Sequence, residues 1–286
     1  MHKLISRYPN VFILLIIFWG YLGGFSCSAP KNYLSPDRPK FTGSYALRNP
    51  TLNDTLKVVS FNIKFAKKIR QAINELQTIR ELQGADIILL QEMDESGTDS
   101  IAKTLGYNYV YYPATVHPQS DRNFGNAILS RWPLTSHKKI ILPHEPLLGR
   151  TKRIAVSSYV EFAGLEILVY SVHTATAVVS SENRLNQADS ILKSISEQHP
   201  HIIIGGDFNT LFSQNIRDLE SVFLKNGFSR ASRDAGVTVE KAFFNFTLDH
   251  VFVKGLELIE SGTTETEASD HRPLWVLLKL SSGHEP

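Results

Sequence analysis

His201-Ile-Ile-Ile-Gly-Gly-Asp-Phe-Asn209 is the stretch from which the fold can be read. Three consecutive β-branched residues followed by two glycines spell a short buried strand rather than a helix. That strand runs directly into an acid and an amide. Asp207 and Asn209 stand two apart, so an extended backbone would aim both side chains to one face and Phe208 to the other.

The same grammar recurs along the chain. LKVVSFNI (56–63) delivers Asn62, ADIILLQE (85–92) delivers Glu92, and LEILVYSVH (165–173) delivers His173. GNAILSR (125–131) opens on Asn126, LDHVFV (248–253) on Asp249, and SDHRPL (269–274) carries Asp270 and His271 into the closing strand. Strand ends on packed sheets gather at one rim, so these polar groups are expected to build a single site.

Helical periodicity lies between some of the strands. Ile69, Ala72, Ile73, Leu76, Ile79 and Leu82 predict an amphipathic helix stopping at Gly84. Shorter patterns predict helices over 98–105 and 216–224, and Leu185, Ala188, Ile191, Leu192 and Ile195 predict one opened by Ser180 or Ser181. RIAVSSYVEF and LEILVYSVH flank Ala163-Gly164 as a hairpin. Helices between some strands and hairpins between others predict an α/β fold, two mixed β-sheets packed face to face with helices outside.

Composition narrows the classes. The 286 residues are 42% apolar and 20% charged, enough for a full core and incompatible with disorder. With Lys3 and Arg7 set aside as part of a leader, 28 cations face 28 anions, which argues against a bulk polycation binder of nucleic acid or anionic lipid. One cysteine excludes a disulfide framework and a multi-thiolate zinc site.

Lys3 and Arg7 precede the uncharged apolar run VFILLIIFWGYLGGF (11–25), the arrangement of a secretory signal. Cys27 stands where a bacterial lipoprotein signal places its acylated cysteine. An uncleaved anchor or an ordinary cleaved signal are the alternatives, and all three put the protein outside the cytoplasm. The expected organisation is a leader over 1–27, a Pro-containing tether over 28–51, and one catalytic domain over 52–282.

The chemistry of the polar set is specific to its mixture. A carboxylate such as Glu92 at the end of a buried strand is costly unless a cation compensates its desolvation. Asp249, Asp270 and His271 supply the parts of a carboxylate-oriented imidazole. Asp207 beside Asn209 can hold water or a cation near a phosphoryl oxygen without two full charges repelling.

In order and spacing, VVSFNI, ILLQE, GNAILSR, SVHT, GGDFN, LDHVFV and SDHRPL resemble the motifs of the endonuclease/exonuclease/phosphatase superfamily, over about residues 56 to 280. The resemblance implies a four-layer α/β sandwich like that of pancreatic deoxyribonuclease and Mg²⁺-dependent hydrolysis of phosphoesters, with Mn²⁺ as a possible substitute. It implies Glu92 as principal metal ligand with Asn62 beside it, and Asp270 as a second carboxylate at the metal or its water. His271 resembles the general base paired with Asp249, Asp207 and Asn209 the pair that positions water and phosphate, and His173 the histidine facing the phosphate. Asn126 is expected on the substrate. GRTKR (149–153) stands where relatives carry an arginine-rich motif, making Arg150 and Arg153 candidates for the phosphate. His250, on the opposite strand face from Asp249, is given no role. A monomer is expected, acting on a small, lipid-like or nucleic-acid phosphoester and meeting the membrane through its N terminus. The readings left open are a secreted or tethered nuclease, a phospholipid or sphingomyelin phosphodiesterase, and a non-catalytic binding protein of the same fold.

Overall fold

The computed structural model describes residues 31–46, 54–118, 120–145, 150–162, 164–176, 179–196, 199–241 and 243–280. The leader and Cys27 lie outside the described residues. Along the chain come β1 (Phe41–Ser44), β2 (Thr55–Asn62), a short 3-10 turn (Lys64–Ala66), α1 (Ile69–Thr78), β3 (Ile87–Met93), α2 (Glu95–Leu105), β4 (Asn108–Val116), β5 (Asn123–Ser130), β6 (Leu134–Ile141), β7 (Ile154–Phe162) and β8 (Leu165–His173). There follow α3 (Ser181–Lys193), β9 (Ile202–Asp207), α4 (Ser213–Lys225), β10 (Ser229–Arg230), β11 (Val239–Lys241), β12 (Phe244–Phe246), β13 (Asp249–Lys254), β14 (Leu256–Thr263) and β15 (Leu274–Leu280).

Two mixed sheets result, in the orders β1-β4-β5-β3-β2-β15-β14 and β10-β13-β9-β8-β7-β6, with β11-β12 as a separate hairpin. Each large sheet is centred on one parallel pair, β2 with β3 and β8 with β9, flanked by antiparallel strands. Parallel neighbours end at the same rim, so Asn62, Glu92, His173 and Asp207 arrive together. Alternation along these strands sorts the core into three layers. Leu56, Val58, Ile87, Leu89, Val169, Ile203 and Val251 face the opposite sheet. Val59, Phe61, Ile88 and Leu90 face α1 and α2, and Tyr170, Ile202, Ile204 and Phe252 face α3 and α4. Helix, sheet, sheet, helix is the expected four-layer sandwich.

Packing around β9, against the opposite sheet at Gly205 and against its own neighbour β8 at Gly206, is close enough to favour glycine. A Cβ on Gly205 would come within 2.7 Å of Leu89 Cδ1, and Gly206, at φ +146°, lets its Cα pass the Val172 carbonyl where a Cβ would sit 1.9 Å from the oxygen. The two glycines ahead of Asp207 are therefore what allows β9 to reach the rim.

Several elements differ from the sequence reading. The expected tether is not structureless throughout. Phe41–Ser44 forms β1 on the edge strand β4, Asn32 bridges Thr115, and the buried Lys139 ammonium donates to the carbonyls of Tyr33 (3.1 Å) and Arg38 (2.9 Å). An edge strand of four residues flanked by prolines carries too little alternation to register as a pattern. The first helix ends at Thr78, with Ile79 extended, although Leu82 is buried and Gly84 takes φ +67° as expected. The second begins earlier, because Asp94 caps it by accepting from the Gly97 N–H at 2.7 Å. Strand β6 and the β11–β12 hairpin were not anticipated.

Candidate active site

Inner-face alternation explains which polar groups meet. Residues 56, 58, 60 and 62 point to the opposite sheet, as do 169, 171 and 173, 203, 205 and 207, and 249, 251 and 253. Asn62, His173, Asp207 and Asp249 therefore occupy the last inner positions of their strands, below 3% exposed, where apolar packing gives way to polar contact. Asp207 stands in register with His173 on one side and Asp249 on the other.

Asp207 is the hub. Its Oδ2 accepts from Asn62 Nδ2 at 3.1 Å and lies 3.6 Å from His173 Nε2 and 3.8 Å from His271 Nε2. His271 is held from its other nitrogen, Nδ1 lying 2.9 Å from Asp249 Oδ2, and its backbone N–H donates to Ser269 Oγ, whose hydroxyl donates to the Asn62 carbonyl. Burial disfavours a charge on His271, but Asp249, Asp207 and Asp270 outweigh it and raise the imidazole to about 10. Asp207 is itself raised, first by burial and then by Asp249, against the pull of His271. His173 is pushed well down by burial, with Arg153 and His271 adding to the effect.

Glu92 reaches the site by a different route. Alternation would send it toward the helices, but the register with β5 shifts between Leu90 and Met93 and Glu92 itself takes φ +59°. Its Oε1 then accepts from Asn62 Nδ2 at 3.4 Å and its Oε2 from the Phe65 N–H at 3.2 Å. Burial raises its pKa, offset in part by His271, Arg153 and Asn62. A half-buried carboxylate with raised pKa, braced by two neutral donors, is a hard-oxygen site of the kind a divalent cation satisfies. Asp249 Oδ1, buried without a hydrogen-bond partner among the described residues, is a second open oxygen near by. The ligand atoms of Asp207, Asp249 and His271 also lie within 4.8 Å of one another. In that trio the imidazole already offsets one of the two carboxylates, so Glu92 with Asn62 is the better seat for a cation.

Other sequence candidates land less uniformly. Asp270 is half exposed and paired with Lys64 at 2.8 Å; burial would raise it, but the Lys64 bond and His271 outweigh burial and hold it low. Asn209 departs from the expected extended geometry. It takes φ +52°, donates its N–H back to Asp207 Oδ1 at 2.9 Å and its amide to the Thr174 carbonyl at 3.1 Å, so it fixes the Asp207 rotamer through a tight turn. Two expectations are corrected. Asn126 is not on the substrate face: its amide donates to the carbonyls of Ile154 (3.0 Å) and Ser171 (3.1 Å) on the facing sheet. Arg150 turns outward, 73% exposed and 3.6 Å from Glu145. Arg153 does face the site, its guanidinium 5.2 Å from the Phe124 ring, which in turn lies 5.8 Å from the His173 ring.

Sequence reasoning passed over an aromatic wall beside this group. Phe65 lies 4.5 Å from the His117 ring and 5.8 Å from Phe124, and Arg122 bonds the Phe65 carbonyl. Phe65 sits in the short 3-10 turn and His117 in the loop after β4, where no period marks them.

Two facing mixed sheets, an imidazole–carboxylate pair and a half-buried glutamate at their common rim define a deoxyribonuclease I-like hydrolase fold. The chain belongs to the endonuclease/exonuclease/phosphatase family, whose model matches residues 59–271. Among solved structures it resembles an endonuclease/exonuclease/phosphatase from Beutenbergia cavernae, with TM-score 0.66 and 18% identity over 79% of this chain and 72% of that one. It also resembles a family protein from Leptotrichia buccalis, with TM-score 0.64 and 21% identity over 79% and 99%. ANGEL2, a 2′,3′-cyclic phosphatase, superposes with TM-score 0.62 at 15% identity over 79% and 96%. In sequence, UPF0294 proteins of Vibrio campbellii (28% over 142 residues, 48% of each chain) and Yersinia pseudotuberculosis (30% over 132 residues, 46% of this chain and 50% of that one) are similar. The chain spans about half the length of the curated relatives it matches. Members of the family are phosphoester hydrolases, and the chain carries the acid, amide and imidazole groups such chemistry uses.

Proposed function

We propose that the protein is a divalent-metal-dependent phosphoesterase, exported and held at a membrane by its N-terminal leader, that hydrolyses its substrate by direct attack of water. The observation that carries this reading is the Asp207 carboxylate with Asn62, His173 and His271 all within 4 Å of it and Glu92 joined to it through the shared Asn62 amide.

Glu92 and Asn62 are the residues that would hold the cation, Mg²⁺ or Mn²⁺. When bound there it supplies positive charge against the phosphoryl and leaving oxygens. The chain's own groups divide the remaining work. The sequence reading gave the base to His271. The charge balance favours a revised division: an imidazole among three carboxylates keeps its proton at neutral pH and serves as a cationic donor to a phosphoryl oxygen, while Asp207, with its raised pKa, accepts the proton of the attacking water. Asp249 orients His271 and compensates its charge, Asn209 locks the Asp207 rotamer, and Arg153 supplies a further positive charge beside His173. The original assignment, His271 as base, keeps one observation in its favour, the 2.9 Å Asp249 contact that fixes its tautomer.

The similarity to a 2′,3′-cyclic phosphatase supports a phosphoester substrate in general; nucleic-acid and lipid phosphodiesters both remain readings of the same machinery. The test is hydrolysis of a chromogenic phosphodiester, plasmid DNA, a 2′,3′-cyclic nucleotide and vesicle-borne phospholipids by the full chain, with Mg²⁺, Mn²⁺ or EDTA. Turnover of at least one that EDTA abolishes and Mg²⁺ restores is the expected result. Metal-independent turnover, or none on any of the four, would overturn the reading.

A further inference from the structure

Two features at opposite sides of the catalytic rim point the same way. The first is the seat of Lys31. The Lys31 carbonyl accepts from the Val116 N–H (2.9 Å) and the Thr115 hydroxyl (3.1 Å) at the final residues of β4. The loop that leaves Val116 returns through Arg122, which bonds the Phe65 carbonyl, and the Phe65 N–H in turn bonds Glu92. Lys31 thus sits at the rim that holds the site. Only four peptide steps separate it from Cys27, and six from Phe25 at the end of the apolar run. A fully extended chain spans roughly 14 Å and 20 Å over those steps. A chain fixed in a bilayer at Cys27 by an acyl group, or at Phe25 by an uncleaved anchor, holds its catalytic rim within about that distance of the lipid surface; a cleaved signal would leave no such tether.

The second is the β11–β12 hairpin. Its root is bonded to the catalytic pair: Thr238 accepts at Oγ1 from the Asp249 N–H (3.2 Å) and at its carbonyl from the N–H of Arg272, the residue after His271 (2.7 Å). Its tip carries Phe243, 99% exposed, next to the stacked, half-exposed rings of Phe244 and Phe246. Phe212, also exposed, stands two residues after Thr210, whose hydroxyl bonds the Thr247 carbonyl at the hairpin base. Four phenylalanines on the projecting edge of one rim are an unusual concession to water, since a fully exposed aromatic ring gains nothing in the folded domain. Phenylalanine on an exposed tip beside a basic residue, here Lys241, suits the headgroup–acyl boundary of a bilayer.

We infer that the catalytic rim faces a lipid bilayer and that the β11–β12 hairpin places Phe243 in its interface, so that the phosphoester is taken from the membrane surface or its immediate layer of water. This rests on the reading that the leader attaches the chain to a membrane.

The test uses the full chain reconstituted in vesicles of phosphatidylcholine and phosphatidylglycerol, with or without lipids brominated near the headgroup. Phe243→Trp is compared with Leu224→Trp, an exposed position at the C-terminal end of α4, the end remote from the site. After subtraction of the wild-type signal, whose Trp19 lies in the leader, the added fluorescence of Phe243→Trp is expected to be quenched at least about threefold more than that of Leu224→Trp. If the chain sediments with vesicles and the two are quenched equally, the inference fails while the leader reading stands. If Phe243→Trp is unquenched and cross-links to a second copy, the hairpin is a subunit contact and the inference fails equally. If the chain remains in the supernatant, the leader reading fails and carries the inference with it.

Discussion

The Asn62 amide crosses from one sheet to the other to donate to Asp207 at 3.1 Å, and the same nitrogen lies 3.4 Å from Glu92. A single side chain thus ties the seat of the cation to the proton-accepting carboxylate. Asn62→Ala removes the tie and leaves the buried Asp207 and the half-buried Glu92 with one donor fewer. We expect kcat to fall by at least ~10²-fold, with Mg²⁺ affinity reduced in the same variant and the melting temperature lowered by several degrees, because the buried Asp207 loses a donor. Loss of activity with unchanged Mg²⁺ titration by calorimetry would separate Asn62 from the cation.

Glu92 is raised by burial, and Glu92→Gln keeps its shape while deleting the charge that a cation compensates. The apparent affinity for Mg²⁺ should drop by at least ~10-fold and turnover with it. Because burial outweighs the partial compensation from His271, Arg153 and Asn62 and leaves the charged carboxylate disfavoured, the melting temperature without metal should rise or hold. A lower metal-free stability would place Glu92 in the structural rather than the functional class.

The division of roles between Asp207 and His271 has a pH signature. If Asp207 is the base, activity rises with pH as Asp207 loses its proton, on a limb set above the ordinary carboxylate range, and falls as His271 loses its own toward about 10. Asp207→Asn should abolish the acidic limb along with most turnover, and His271→Gln should lower kcat while leaving that limb. If His271 is the base, the limb that vanishes belongs to His271→Gln.

How much of this could be read from the chain depends on which physical signal each residue carries. Asn62, His173, Asp207 and Asp249 were legible because each ends or begins an apolar strand on the inner-face parity, and parity survives folding. His250, assigned away from the site for the same reason, packs against Phe208 and Phe252. Asn126 shares the inner parity, yet it lies one step short of the rim, where the facing carbonyls of Ile154 and Ser171 take its donors; parity tells the face but not the depth. Arg150 and the tether failed for a different reason. Both lie in irregular backbone, where the direction of a side chain depends on tertiary contacts such as the Lys139 clamp. The positive φ of Glu92 has no local sequence sign either, and it is what brings that carboxylate round.

The reassignment of Asn126 has its own test. Both of its donors are spent on backbone carbonyls between the sheets, so Asn126→Ala removes two buried hydrogen bonds at about 0.5–1.5 kcal/mol each. The variant should lose several degrees in melting temperature while the folded fraction keeps wild-type kcat and KM on the soluble substrate. A raised KM at unchanged stability would return Asn126 to the phosphate.

His250 makes the fold itself pH-sensitive. The Thr210 hydroxyl lies 2.7 Å from both the Thr247 carbonyl and His250 Nε2. Its proton goes to the carbonyl, so Nε2 carries the imidazole proton and donates to the hydroxyl oxygen. Nδ1 is then bare, buried and without a hydrogen-bond partner among the described residues. Burial, with Arg230 adding to it, lowers the folded pKa to about 3. Between that value and the unfolded pKa near 6.5 the unfolded chain binds the proton and the folded one does not, so stability rises with pH across the window and is lost on acidification. A single such group contributes up to about 1.4 kcal/mol per pH unit. His250→Phe, apolar and of similar bulk against Phe208 and Phe252, removes that proton from the balance. Chemical denaturation at pH 5 and pH 7 should therefore show a smaller loss of stability on acidification in His250→Phe than in wild type, by about the slope of one titrating group. Equal losses in the two proteins would mean that Nδ1 is protonated without penalty in the folded state and that the pocket is wetter than its packing implies.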